Sequence, residues 1–299
     1  MITRIGRYVV GSFPPAFYLP YALAWSLGMT AAFVLGEPGL RSWRPGIGTV
    51  LTALTFGVLL LLARAVDDLR DREYDREHNP GRPLASGAVR VRDLVVLIAA
   101  CVVVALALNA GQGGVAVMVL VVLGYPLLLL LVDRWLHWPS GDNLLLSGVV
   151  SFPVQVLFNL YLYAAVMHAA GLPGSWHVVL PLLVGITAFV HIEYARKLTR
   201  TPKPGERSYV TALGATRTGV LAVLAGVVAT ALALLLTRPW STTAPWGWLV
   251  LLPLAFLGYG AYRFWVVRAT RWPLLAAAAF LLTGFVTYLI VGLIGKDLP

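Results

Sequence analysis

Charge is scarce in this chain. Only 12% of its 299 residues are Asp, Glu, Lys or Arg, while 59% are hydrophobic. A soluble domain carries about twice that charged share, so water is excluded as the solvent for most of the chain and the bilayer takes its place. Cysteine is scarcer still: Cys101, inside an apolar run, is the only one. One cysteine excludes an intrachain disulfide and a cysteine metal cluster, and it reads as packing. Any metal must be held by oxygen or histidine. Ten-residue strands of alternating polarity are missing, which argues against an outer-membrane barrel.

What the chain has instead is long apolar runs, many of about 20 residues, the length that spans a hydrocarbon core as helix. Gly and Pro clusters at 109–114 and 170–175 split two runs that would otherwise be too long. The pattern predicts an all-α membrane protein of nine transmembrane helices in a single bundle, at roughly 13–35, 47–66, 94–110, 114–132, 143–168, 177–193, 218–237, 246–265 and 273–294. The first run is too long for a signal-peptide core and is expected to be retained as a helix. Residues 1–299 read as one domain. Two polar loops stand out for length, about 67–93 and about 194–217.

The net charge is +10. In a soluble protein this would suggest a nucleic-acid partner, but its distribution assigns it to membrane topology. With the N-terminus inside, 19 of the 23 Lys and Arg fall on inside loops, and only Arg41, Arg44, Arg238 and Lys296 fall outside. Such an excess marks the cytoplasmic side. It places the N-terminus in the cytoplasm and the C-terminus outside the cell membrane, and both long loops on the cytoplasmic side. Nucleic acid is not expected as a partner, and no protein partner is implied.

The first long loop opens on Asp67-Asp68-Leu69-Arg70-Asp71-Arg72-Glu73-Tyr74-Asp75. Asp68, Asp71 and Asp75 have the spacing of one face of a continuing helix. Carboxylates this close repel one another unless a cation compensates. Mg²⁺ suits them, since it takes oxygen ligands and bridges carboxylates to substrate phosphates. The alternative is a solvated loop balanced by Arg70, Arg72 and Arg76. Against it stand the position at the end of an apolar helix and the tightly specified turn that follows, Arg76 to Gly87 with Pro80, Arg82, Pro83, Leu84 and Ser86.

These 21 residues, Asp67 to Gly87, resemble the first signature of the UbiA superfamily of intramembrane prenyltransferases, N-D-x-x-D-x-x-x-D followed by R-x-x-x-P-x-R-P-L-x-S-G. Asp67 replaces the asparagine, and the other signature positions match. The family carries a second acidic motif, D-x-x-x-D, after helix 6. Here that place reads His191-Ile192-Glu193-Tyr194-Ala195-Arg196-Lys197. Glu193 stands for the first carboxylate, and Lys197 occupies the place of the second. At i, i+4 the two share a helical face, which fits either a salt bridge or a metal-and-phosphate role. Lys is a point-charge phosphate binder. Arg207 and Tyr209 resemble the family's return into helix 7. A family Y-x-x-x-K is half present, with Tyr125 but Leu129, and Arg134 is a possible substitute.

The resemblance implies Mg²⁺-dependent transfer of a prenyl group from its diphosphate to an aromatic or quinone-type acceptor. It implies metal binding by Asp68, Asp71 and Asp75 with Glu193, and diphosphate binding by Arg76, Arg82, Arg196, Lys197 and Arg200. One metal site is expected. Within the spans, Gln155, Asn159 and Tyr163 share a face of helix 5, and His191 ends helix 6. Intramembrane polar groups invite a functional hypothesis. Asn159 and His191 are therefore pocket candidates, although interhelical hydrogen bonding explains such residues equally well, and the resemblance adds Tyr125 and Tyr209. The alternatives are a terpene cyclase of the same superfamily and a transporter. A transporter's charges belong near midmembrane, whereas these lie at helix ends. A CDP-alcohol phosphotransferase is set aside because its D-G-x-x-A-R…G-x-x-x-D-x-x-x-D pattern is absent.

Overall fold

Proline and glycine divide the apolar chain into helices whose ends are set by residues that cannot continue them. The computed structural model describes residues 1–40, 43–139, 143–241 and 245–295. Arg41 and Lys296, both counted above on the outside, lie beyond the described residues. The helices are α1 (Ile2–Ser12), α2 (Pro15–Gly36), α3 (Ile47–Arg70), α4 (Arg72–His78), α5 (Val91–Leu108), α6 (Gly114–Leu136), α7 (Leu144–Ser151), α8 (Pro153–Ala170), α9 (Val179–Arg196), α10 (Tyr209–Leu213), α11 (Ala215–Thr237), α12 (Pro253–Ala261) and α13 (Leu274–Gly295). Among the described residues, nine segments are long and apolar enough to cross a membrane, at the nine places expected from the sequence. The protein is all-helical and multi-pass.

Three details differ from the sequence expectation. The short amphipathic α1 precedes the first span, with Tyr8 and Ser12 buried one turn apart. The fifth span is jointed at Phe152, because Pro153 starts α8 without an N–H to give α7. The eighth span is composite: a 3₁₀ stretch (Pro245–Leu251), α12, then a π turn (Tyr262–Val266).

The chain forms two compact units, Met1–Leu23 with Ile47–Tyr161, and Ala24–Gly46 with Leu162–Pro299. In the first, α3 packs on α5 and α6. Its core includes Phe56, Leu59, Leu62, Leu94 and Val119, with Phe56 against Phe158 at 5.5 Å between ring centroids. One buried polar group is fully served: the Asn109 amide donates to Thr55 Oγ1 (3.0 Å) and to the Ala105 carbonyl (2.8 Å), and accepts from the Tyr161 hydroxyl (3.3 Å). In lipid such internal pairing replaces the missing water.

In the second unit, α9 and α11 form the most extensive helix pair. The buried positions of α11 are mostly small, including Gly219, Ala222, Gly226, Ala229 and Ala233. Small residues let helix backbones approach where lipid gives no hydrophobic drive. Trp25, Phe189 and Phe285 form a cluster of three rings, with centroids 4.2 Å (Trp25 to Phe189), 6.1 Å (Trp25 to Phe285) and 6.0 Å (Phe189 to Phe285) apart. A Cβ on Gly28 would fall 2.5 Å from the Phe285 carbonyl oxygen, so α2 and α13 meet backbone to backbone.

Candidate active site

The acidic motif sits where α3 leaves the apolar region. Helix α3 ends at Arg70, Asp71 interrupts it, and α4 resumes. The interruption is slight. Asp71 N–H still reaches the Asp67 carbonyl and Asp75 N–H the Asp71 carbonyl, both at 2.8 Å. The helical face inferred from the spacing therefore survives between Asp68 and Asp75, which lie two turns apart and share one arginine. Arg82 Nη1 is 2.5 Å from Asp75 Oδ2 and 3.8 Å from Asp68 Oδ1. Asp68 and Asp75 are buried, and Asp71 is half-buried.

Each buried carboxylate has further partners. Asp75 Oδ1 accepts from the Asn79 amide at 2.9 Å. Asp68 Oδ2 accepts from the Tyr8 hydroxyl at 2.9 Å. Asp68 Oδ1 lies 2.8 Å from Arg64 Nη2, yet it makes no hydrogen bond of good geometry. Burial and the adjacent Asp68 carboxylate push the Tyr8 hydroxyl well above the ordinary phenol range, so it stays protonated and donates to Asp68. The turn holding Arg82 is closed by backbone bonds from Arg82 N–H to the Asn79 carbonyl (3.0 Å) and from Ser86 N–H to the Arg82 carbonyl (2.9 Å). Gly87 takes a φ of +78°, a conformation glycine adopts at no steric penalty. Arg76 is exposed.

The donor set is hard oxygen, with one buried lone pair on Asp68 not hydrogen-bonded, and that chemistry fits Mg²⁺. In this arrangement, guanidinium groups already compensate the carboxylates. Among the described residues, no three Asp, Glu, His or Cys side chains stand close enough to share one metal ion.

The second motif, in the other unit, is also cation-rich. Glu193 Oε2 is 2.5 Å from Arg196 Nη2, and Oε1 is 2.7 Å from Lys197 Nζ. The Tyr209 hydroxyl donates to Glu193 Oε1 at 3.0 Å, and Lys197 Nζ lies 5.0 Å from the centre of its ring. Burial and then the Glu193 charge push the Tyr209 hydroxyl well above its usual range. The structure thus brings Glu193, Arg196, Lys197 and Tyr209 together, with Arg207 half-buried in the same loop.

Other candidates are placed differently. Arg200 donates from Nη2 to the Phe264 carbonyl (2.6 Å) and from Nε to the Ala269 carbonyl (3.3 Å), and its guanidinium covers the Phe264 ring. It thereby holds the π turn and the loop after it. Tyr125 donates to the Val150 carbonyl at 2.7 Å. Asn159 is fully buried and donates to the Gln155 carbonyl of its own helix at 3.0 Å. Tyr163 is turned to Ser175, whose backbone N–H it accepts at 2.6 Å. His191 is fully buried. Its Nδ1 donates to the Ala222 carbonyl at 2.8 Å, and its Nε2 has no hydrogen-bond partner.

Sequence reasoning missed Tyr8, Arg64 and Asn79. Arg64 and Asn79 each stand four residues from an aspartate they serve, a spacing that could have flagged them. Tyr8 gave no local signal.

Comparison with solved structures finds the same fold. A UbiA homolog from Aeropyrum pernix K1 superposes with a TM-score of 0.64 at 18% identity, covering 92% of this chain and 98% of that one. A UbiA homolog from Archaeoglobus fulgidus bound to GPP and Mg²⁺ gives 0.63 at 15% identity, covering 96% and 99%. A structure of digeranylgeranylglyceryl phosphate synthase gives 0.60 at 13% identity, covering 97% and 99%. No curated sequence matches the chain. The profile of the UbiA prenyltransferase family, however, matches residues 23–292, which include both charged motifs. With nine candidate spans, an aspartate motif at the mouth of α3 and a match over most of its length, the chain belongs to the UbiA prenyltransferase family.

Proposed function

We propose that this protein is a Mg²⁺-dependent intramembrane transferase that moves a prenyl group from its diphosphate to an aromatic or quinone-type acceptor. The carrying observation is the pair of buried aspartates, Asp68 and Asp75, sharing Arg82 at the end of a membrane span. Such a cluster can bind a metal diphosphate through either of its charge signs. Asp68, Asp71 and Asp75 would hold Mg²⁺, with Glu193 assisting. Arg76, Arg82, Arg196 and Lys197 would bind the diphosphate oxygens. Arg200 serves the loop instead. The homologs of known structure bound to DMAPP or GPP with Mg²⁺ support the metal and the substrate class.

Diphosphate is a poor leaving group until its charge is neutralised. Bound Mg²⁺ supplies that neutralisation as a Lewis acid. Arg82 adds to it directly, since a guanidinium binds phosphate oxygens as readily as carboxylates. As the diphosphate takes up Arg82, the aspartates are freed from it. The hydrocarbon surroundings keep water from the allylic cation, and aromatic faces stabilise it until the acceptor ring attacks and gives up the proton on the attacked carbon.

The charge asymmetry supports a cell-membrane location with a cytoplasmic N-terminus and an outside C-terminus. The family match runs through both compact units, which supports a single functional domain. The test is purified protein with Mg²⁺ and a panel of prenyl diphosphates, with aromatic acids, quinones and phenols as acceptors, read by mass. Acceptor-plus-prenyl masses that vanish with EDTA are expected. A cyclic hydrocarbon formed from the diphosphate alone would replace the transferase reading with a cyclase.

A further inference from the structure

The family match begins at residue 23, and α1 lies before it. Yet α1 touches the acidic motif and its flanks at three points. Tyr8, fully buried, donates to Asp68 at 2.9 Å across 60 residues of sequence. Gly11 lies against the ring of Pro83, the residue after Arg82, so closely that a Cβ there would be 2.7 Å from Pro83 Cγ. Arg4 donates to both oxygens of Asp93, the buried carboxylate at the start of α5, at 2.7 and 3.1 Å. On the side away from Tyr8, Ile2 and Val10 are exposed together with Thr3 and Arg7.

We propose that Tyr8, carried by α1, is a positioning residue for Asp68. By fixing Oδ2, it keeps the carboxylate from turning into a two-oxygen pair with Arg64, so that Oδ1, which faces Arg64 at 2.8 Å without a hydrogen bond of good geometry, can exchange that cation for the metal. Carboxylate ligands are oriented by hydrogen bonds from residues behind them, and losing such a bond typically weakens metal binding by about 10–100-fold. Arg64 lies close enough to Asp68 to compete for it. The inference rests on the metal role of the aspartates proposed above.

The test uses the purified full chain and Mn²⁺ as probe, with free ion measured by electron paramagnetic resonance. Tyr8→Phe keeps the ring and removes only the hydroxyl. It is expected to raise the Mn²⁺ dissociation constant about tenfold, with its melting curve little changed. The Mg²⁺ half-saturation of turnover should rise in parallel, and kcat at saturating Mg²⁺ should fall less. Asp93→Asn, which loosens α1 without touching Asp68, is expected to raise the constant about threefold, a fraction of the direct loss. Affinity within twofold of wild type in a folded Tyr8→Phe protein overturns the proposal. If that variant does not fold, an unchanged constant in Asp93→Asn overturns it. Mn²⁺ binding lost in Asp75→Asn but kept in Tyr8→Phe removes the role of Tyr8 alone. Wild-type protein that binds no Mn²⁺ removes the metal site itself, and the role of Tyr8 falls with it.

Discussion

Arg82 reaches Asp75 at 2.5 Å and Asp68 at 3.8 Å, so one guanidinium compensates two buried carboxylates seven residues apart. The relationship explains how an acidic motif can be stable at a membrane edge before any metal arrives. Two buried carboxylates on one arginine need that compensating cation, and the turn at 79–87 delivers it from the same segment.

Arg82→Gln is therefore expected to lower both stability and substrate affinity. Asp75 would keep the Asn79 amide as its side-chain partner, and Asp68 would keep Tyr8 and Arg64. Arg82 is more than a third exposed, so the loss is placed at about 1–2 kcal/mol, below the figure for a dry ion pair. Thermal melts in detergent without Mg²⁺ check the stability, and the KM for prenyl diphosphate checks the binding.

Asp75→Asn and Asp71→Asn should each leave a folded protein with little Mg²⁺-dependent turnover. The amide keeps the shape of the carboxylate and removes the charge a metal needs. A loss of roughly a hundredfold or more in kcat/KM is expected, since metal stabilisation of departing phosphate oxygens amounts to several kcal/mol. Full activity in both variants would leave the metal assignment without support.

Arg200 and Lys197 separate the two roles that arginine and lysine can play in the second loop. Arg200 is committed to the Phe264 and Ala269 carbonyls. Arg200→Met is expected to destabilise the protein by about 1–3 kcal/mol, the range for charge-assisted hydrogen bonds, with the KM for diphosphate within about twofold once folded protein is compared. Lys197 pairs with Glu193 in a cluster of two cations on one carboxylate. Lys197→Ala should raise that KM about tenfold, the loss of one phosphate contact of about 1.4 kcal/mol, with a small effect on melting. Steady-state kinetics beside melting curves reads both.

The contrast also marks what the amino-acid sequence could convey. Apolar run length and Gly/Pro breaks located all nine spans, because lipid demands complete helices of fixed length. The spacing of Asp68 and Asp75 announced a shared face, and the structure has one. Local periodicity carries no information about partners chosen across the fold. Nothing near Tyr8 points to Asp68, and nothing near Arg200 announces that its guanidinium holds a carbonyl 64 residues on. The eighth span read as plain helix, since its 3₁₀ and π ends keep an apolar composition. The short α1 went unread because a single buried stripe, Tyr8 and Ser12, is too brief to stand out as a period.

Glycine gives a last test, independent of chemistry, because the same residue plays opposite parts in two helices. In α2, a Cβ on Gly28 would fall 2.5 Å from the Phe285 carbonyl oxygen and 2.7 Å from Phe285 Cα, backbone atoms that cannot step aside. Gly28→Ala must push α2 and α13 apart and disturb the stack of Trp25 on Phe285. A cost of about 1–3 kcal/mol is expected, as for overpacking a filled interior. In α3, a Cβ on Gly57 would meet nothing within 4 Å. Gly57→Ala is expected to stabilise by about 0.5–1 kcal/mol, the backbone freedom that glycine loses in a helix. Thermal melts of the two variants under one detergent condition should move in opposite directions. A Gly28→Ala protein that melts at or above wild type would show that α2 and α13 are not in backbone contact there.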